Sequence, residues 1–276
     1  MKKFNSLIKI FIVILILVWT LFPFYWMLVT SVKPKADIYN QKLNPLLLYG
    51  FTNEHYRYLF KETNFLTWYK NSLIVATSTT IITLIVSYFA GYSLSRLKFR
   101  GSSLWGLLIF IAYLIPPTLL FIPLAKVVSI LNLGNNIAAL ILTYPTFLVP
   151  FCTWMLMSYF STIPYELEEC AFIDGASRLR VLFNIVFPVC KPAIITVTLF
   201  SFTISWGEMI YALVMVPSTM NKTLPVGIRS ELIRGDVFFH GPLMAAALLS
   251  VIPVILIFSF FTDLYISGLT KGAVKY

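Results

Sequence analysis

Six stretches of this chain run without an Asp, Glu, Lys or Arg: 10–32, 71–95, 101–125, 127–165, 192–207 and 241–262. A helix needs roughly 20 apolar residues to cross about 30 Å of hydrocarbon. The first, second, third and last runs meet that length directly. In the fourth, Asn132, Gly134, Asn135 and Asn136 read as a loop, leaving one helix with Pro145 and Pro150 inside it. The fifth is short, and spans only if its helix continues through Glu208 towards Val216. The expectation is an all-α integral membrane protein with six transmembrane helices, about 9–31, 71–95, 103–125, 137–158, 191–216 and 241–264. These form a single domain over 1–276, with a stretch of about 159–190 between the fourth and fifth spans.

Composition supports lipid as the solvent. Apolar residues make up 59% of the chain and charged ones 12%, too few to cover a water-soluble core of this size. The net charge of +10 comes from scattered Lys and Arg that form no basic stripe, so contact with anionic lipid headgroups explains it and nucleic acid does not. Placing the N-terminus inside puts eleven of the 21 basic residues on the cytoplasmic side. The tight Arg96-Leu97-Lys98-Phe99-Arg100 turn and three Lys before the first helix tip the balance that way. The first apolar run is too long for a signal-peptide core and ends in Trp26 and Lys33 rather than a small-residue cleavage site. Cys152, Cys170 and Cys190 are odd in number and far apart, with no CxxC. They read as small packing residues, and no metal site is expected.

The stretch from Ile163 carries most of the functional signal. Pro164 suits a first helical turn, and Glu166, Glu168 and Glu169 follow where a helix dipole favours anions. Asp174-Gly175 should end that helix, and Leu179, Leu182, Phe183 and Val186 resume a helical period before Pro188. The pattern is helix, turn, helix beside the membrane. Three acids at an anionic lipid face have the wrong sign for a surface anchor, so a protein partner with a basic-rimmed groove fits better.

Glu169-Cys170-Ala171, then Asp174-Gly175-Ala176, then Ile185-Val186-Phe187-Pro188 resembles the EAA signature, with its Gly and I-x-L-P, of ABC-transporter permease subunits. Cys170 stands for the first Ala and Phe187 for the Leu. The likeness extends over Pro23-Phe24-Tyr25-Trp26-Met27, Thr30-Ser31-Val32-Lys33-Pro34, Ile115-Pro116-Pro117 and the terminal 268–275. It is nearest to the carbohydrate-uptake branch typified by the smaller maltose permease subunit.

The resemblance implies a type I importer permease of MetI-like fold in a bacterial or archaeal cytoplasmic membrane, with both termini cytoplasmic. Its implied partners are a sister permease, two cytoplasmic ATPase subunits that hold the ATP and Mg, and an extracellular or periplasmic binding protein delivering a carbohydrate. No cofactor is expected on this chain. By the same likeness Glu168, Glu169, Cys170, Ala171, Asp174, Gly175, Ala176 and Pro188 belong to a coupling helix and loop that meet the ATPase. Thr270, Lys271, Gly272, Ala273, Val274 and Lys275 would form a tail reaching between the two ATPases.

Thr198, Ser201, Ser205 and Glu208 share one face of the fifth span. Two readings stand: a wet translocation path, since an intramembrane acid needs water or a partner, or small hydroxyls packing helix on helix. Thr79, Thr83, Ser87, Gly91 and Ser95 repeat every four residues in the second span and read as a packing face. An intramembrane enzyme would need convergent catalytic groups, whereas His55 and His240 fall in expected outer loops and no GxSxG or HExxH occurs. A secondary transporter shares the buried acid and broken helices, but it does not explain the acidic helix-turn-helix. With no GxxxxGK[ST] in the sequence, ATP chemistry falls to a partner.

Overall fold

The computed structural model describes residues 2–97 and 99–273, with side chains described for 8–97 and 99–262. In chain order the helices are α1 (Lys2–Val32), α2 (Lys35–Ile38), α3 (Glu54–Glu62), α4 (Phe65–Arg96), α5 (Ser102–Leu114), α6 (Pro117–Ile130) and α7 (Ile137–Phe160). Next come α8 (Glu166–Ile173), α9 (Arg178–Val181), a π-helical turn (Leu182–Val186), α10 (Phe187–Val189), α11 (Lys191–Gly207), α12 (Ile210–Met215) and α13 (Leu224–Leu232). A two-stranded hairpin, β1 (Ile233–Arg234) and β2 (Val237–Phe238), precedes α14 (His240–Ala273). Among the described residues four helices, α1, α4, α7 and α14, contain spans long and apolar enough to cross a membrane unaided. Two bent pairs, α5 with α6 and the α9–α10 segment with α11, bring the number to six when each pair is counted as one span.

The bounds of the third span need correction, because it is two helices, α5 and α6, that meet at 98°. The cause of the bend is local. A proline disfavours helical ψ in the residue before it, and with Pro116-Pro117 the constraint acts twice, leaving Ile115 at ψ 120° and Pro116 at ψ 127°. Pro117 then starts α6, where its missing N–H costs nothing. The fifth span is also corrected. Its helix does not run through Glu208 to Val216 but stops at Gly207, with Glu208 extended at ψ 132° before α12 begins. The Asn-rich loop is as read: Asn132 and Asn135 hold φ of 54° and 58°, which Asn tolerates better than most residues, and the Asn136 side chain caps α7 by accepting from Ala138 N at 2.9 Å.

The chain divides into two compact units, 1–68 with 226–253, and 69–225 with 254–276. In the first, the end of α1 is tied to α3: the Ser31 and Tyr56 hydroxyls lie 2.9 Å apart and His55 Nε2 lies 2.7 Å from the Lys33 carbonyl. Lys33 is buried and its Nζ donates to the Pro45 carbonyl at 2.5 Å. The hairpin pairs Ile233 with Phe238 and Arg234 with Val237, turning through Gly235 at φ +60°.

The second unit has its core where α4, α7, α8, the α9–α10 segment and α11 meet, around Tyr88, Tyr92, Cys152, Leu156, Phe160, Val186, Cys190 and Val197. Cys152 and Cys190 are free thiols buried in it, whereas Cys170 is free and exposed, so only two of the three serve packing within the chain. Thr79, Thr83, Ser87 and Gly91 are all buried. At Gly91 a side chain would meet Leu156 Cβ and the Met157 amide at 3.2 Å, so α4 and α7 approach closely because this position has no Cβ. Gly91→Leu is expected to destabilise the chain by about 1–3 kcal/mol, the usual penalty of overpacking. Gly134→Ala, with nothing within 4 Å, should change little; thermal unfolding in detergent compares the two.

Candidate functional site

The segment after α7 folds as the sequence pattern predicts, with helix, turn, helix. The eight-residue α8 begins at Glu166, where the amides of Glu168 and Glu169 donate to the Tyr165 carbonyl at 2.9 and 3.1 Å. At its far end Gly175 takes φ +80°, the left-handed conformation that glycine adopts without Cβ strain. The Ala176 amide then reaches back to the Ala171 carbonyl at 2.9 Å and that of Gly175 to Phe172 at 3.0 Å, closing the helix in a Schellman arrangement. Ser177 accepts from Arg180 N and starts α9. The i→i+5 turn follows, in which Phe187 N–H donates to the Leu182 carbonyl, and Cys190 bends the chain by 79° into α11.

The acids of α8 do not act together. Glu166 and Glu169 are exposed, but Glu168 is 1% exposed. Its Oε1 lies 2.9 Å from Arg96 Nε, and its Oε2 accepts from the Tyr92 hydroxyl at 2.8 Å. Arg96 Nη2 also donates to the Ile163 carbonyl at 2.6 Å, and its guanidinium sits 5.6 Å over the Tyr165 ring. The grouping of Glu168 with the outward-facing acids is therefore corrected: desolvation requires a charge partner, and Arg96 is that partner. Nothing in the apolar period marks it, since Arg96 counted in the sequence only as a topology charge.

With Glu168 and Ala171 turned inward, Glu166, Glu169, Cys170 and Ile173 fall at helical spacing on the outward face. Ile173 is 84% exposed and Leu179 63%. Large apolar side chains standing clear beside two carboxylates make a surface suited to another protein. Of the remaining expected coupling residues, Asp174, Gly175 and Pro188 are exposed, Ala171 is buried and Ala176 is partly buried. The tail residues Thr270, Lys271, Gly272 and Ala273 continue the backbone of α14, while Val274 and Lys275 lie outside the described residues.

The stripe on α11 is partly enclosed within the chain. Ser201 and Ser205 are buried, Ser201 Oγ lies 3.4 Å from Cys152 Sγ of α7, and the Thr198 hydroxyl donates back to the Ile194 carbonyl. Ser201 and Ser205 are thus enclosed within the chain, whereas Thr198 is only partly buried. Glu208 has a different task. Its two carboxylate oxygens accept from the amides of Tyr211 and Ala212 at 2.9 and 3.2 Å, capping the first turn of α12. The Tyr144 hydroxyl donates to it at 2.7 Å, and Tyr211 OH donates to the Pro117 carbonyl, where α6 starts. Glu208 thus ties α7 to the start of α12, and Tyr211 ties α12 to the start of α6.

The family described as binding-protein-dependent transport system inner membrane component matches residues 83–271. The chain belongs to that family. It is 35% identical to the sulfoquinovosyl glycerol transport system permease protein SmoH of Agrobacterium fabrum, over 95% of this chain and 91% of that protein. Against the trehalose/maltose transport system permease protein MalG of Thermococcus litoralis the identity is again 35%, over 95% and 94%. The fold matches a chain of a bacterial ABC transporter that imports the acidic polysaccharide alginate, with TM-score 0.82 at 20% identity over 95% of this chain and 96% of that one. This is therefore a multi-pass membrane permease with the ABC importer fold.

Replacing Glu208 with Ala removes two cap acceptors and leaves the Tyr144 hydroxyl, fully buried, without its partner. A cap contributes about 1–2 kcal/mol and an orphaned buried donor costs about 1–3 kcal/mol. Glu208→Ala should therefore lower the unfolding midpoint in detergent clearly, and Tyr144→Phe less. Equal midpoints for Glu208→Ala and the native chain would contradict this role.

Proposed function

We propose that this permease is one membrane subunit of an ATP-driven importer that receives a carbohydrate from an external binding protein. It pairs with a sister permease to form the path, and docks α8 into a cytoplasmic ATPase. The observation that carries this reading is the outward face of α8, with Glu166, Glu169 and Ile173 exposed on a helix anchored at its base by Glu168. A closing pair of ATPase domains moves membrane helices only through a stiff element seated in each, and a short helix stopped at both ends is such an element. ATP and Mg reside on the partner.

The carbohydrate class rests on the relatives, whose names specify sulfoquinovosyl glycerol and trehalose or maltose. The orientation with both termini cytoplasmic follows from the basic residues flanking the spans, and it puts α8 on the side where ATP is available. In this arrangement the end of α14, with Thr270 to Ala273, extends towards the ATPase pair.

Co-purification in mild detergent is expected to bring down a second permease and an ATPase, and proteoliposomes holding the assembly should accumulate labelled oligosaccharide only with binding protein and internal MgATP. Uptake driven by an ion gradient without an ATPase would overturn the assignment. Glu169→Lys reverses an exposed charge on the docking face. It should leave insertion intact while reducing uptake about tenfold or more, the size of effect expected where a rim charge meets an opposite one across an interface.

A further inference from the structure

Tyr88, Tyr92 and Arg96 follow one another at intervals of four along α4, on one face of its last three turns. Between them they reach three places in the segment leading from α7 to α11: Ile163, Glu168 and Leu182. The Tyr88 hydroxyl donates to the Leu182 carbonyl in the π-helical turn at 2.9 Å. Tyr92 donates to Glu168 in α8 at 2.8 Å. Arg96 pairs with Glu168 at 2.9 Å and also donates to Ile163, just before α8, at 2.6 Å. Arg96 is 10% exposed at its side chain.

These are directional contacts in a desolvated place, so they fix both the distance and the angle between α8 and α4, where loose loops would fix neither. A helix of eight residues has too few internal bonds to hold its own orientation. The side chains that orient α8 therefore decide what a push on it moves.

We propose that Arg96 is the positioning residue that joins the docking helix to the second span, with Tyr92 and Tyr88 as further ties, so that a displacement of α8 is passed into α4 instead of being absorbed by the connecting loops. This rests on the reading of α8 as the ATPase-docking element. It assigns to α4 the task of receiving the stroke. Lys in place of Arg96 retains the charge, but a single ammonium lacks the planar fork that spans carboxylate and carbonyl together. Phe in place of Tyr92 removes one hydroxyl and leaves the ion pair.

The test is hydrogen exchange of the complete complex in nanodiscs, with and without MgATP and vanadate, followed over residues 80–97 and 166–173. In the native assembly both windows should change protection when nucleotide is trapped. In Arg96→Lys the α8 window should still respond while the α4 response falls about fivefold or more, the lower end of ordinary coupling between sites. Tyr92→Phe should give a smaller loss in the same window, and it carries the test alone if the Lys variant does not assemble.

An undiminished α4 response in Arg96→Lys, or in Tyr92→Phe where that variant stands alone, overturns the proposal and leaves α8 as the docking element. A native α8 window that ignores nucleotide overturns the docking reading, and this proposal with it. No transported solute enters the measurement, so an importer of something other than sugar gives the same answer.

Discussion

The charge of Arg96 is the interaction on which the cytoplasmic part of the structure turns. A guanidinium and a carboxylate taken out of water lose hydration that their attraction must offset, and the balance is favourable only when the remaining donors and acceptors are also met. Two of them are met here: the Ile163 carbonyl takes one guanidinium N–H and the Tyr92 hydroxyl serves the second carboxylate oxygen. Deleting one member of such a pair costs about 3–5 kcal/mol, so α8 has little freedom to rotate about its axis. Its outward face follows from this. Once Glu168 points in, the helical period leaves Glu166, Glu169, Cys170 and Ile173 no other direction to face.

The same logic governs the interruptions in the spans. A backbone group freed inside lipid must find a partner in the protein. At the double proline that bends α5 into α6, the Pro117 carbonyl accepts from the Tyr211 hydroxyl and ties α12 to the start of α6. The break after Gly207 leaves the first amides of α12, which Glu208 satisfies. Tyr144 then satisfies Glu208. An intramembrane acid is commonly a sign of a hydrated pathway; in this chain its carboxylate also satisfies backbone amides at the break.

Much of the fold was legible because it follows from local rules. Uncharged runs of sufficient length had to be helices, Asn132–Asn136 had to be a loop, and Gly175 had to end α8, as its φ of +80° shows. The part that was not legible depends on contacts between residues far apart in the chain. Three acids within four positions look alike to a helical period, and only the location of Arg96 separates Glu168 from the others. The polar face of α11 had two readings because small hydroxyls suit water and close packing equally. Cys152 lies 3.4 Å from Ser201, a contact with α7 that no period within α11 reveals. The stop at Glu208 was hidden because hydropathy measures whether a segment is apolar enough to cross, not whether its helix is continuous.

The two faces of α4 show how these features depend on one another. Thr79, Thr83, Ser87 and Gly91 lie one helical step from Tyr88, Tyr92 and Arg96, so the small residues and the polar ladder occupy adjacent strips of one helix. The first strip brings α4 so close to α7 that a Cβ at Gly91 would lie 3.2 Å from Leu156 Cβ and the Met157 amide. That approach brings Tyr92 and Arg96 within reach of a segment that begins where α7 ends. Moving α4 outward by the width of a methyl group would lengthen bonds of 2.6 to 2.9 Å to Ile163, Glu168 and Leu182 beyond useful range. Close packing between spans is therefore the condition for the buried charge pair, and the charge pair in turn is the condition for the exposed face of α8.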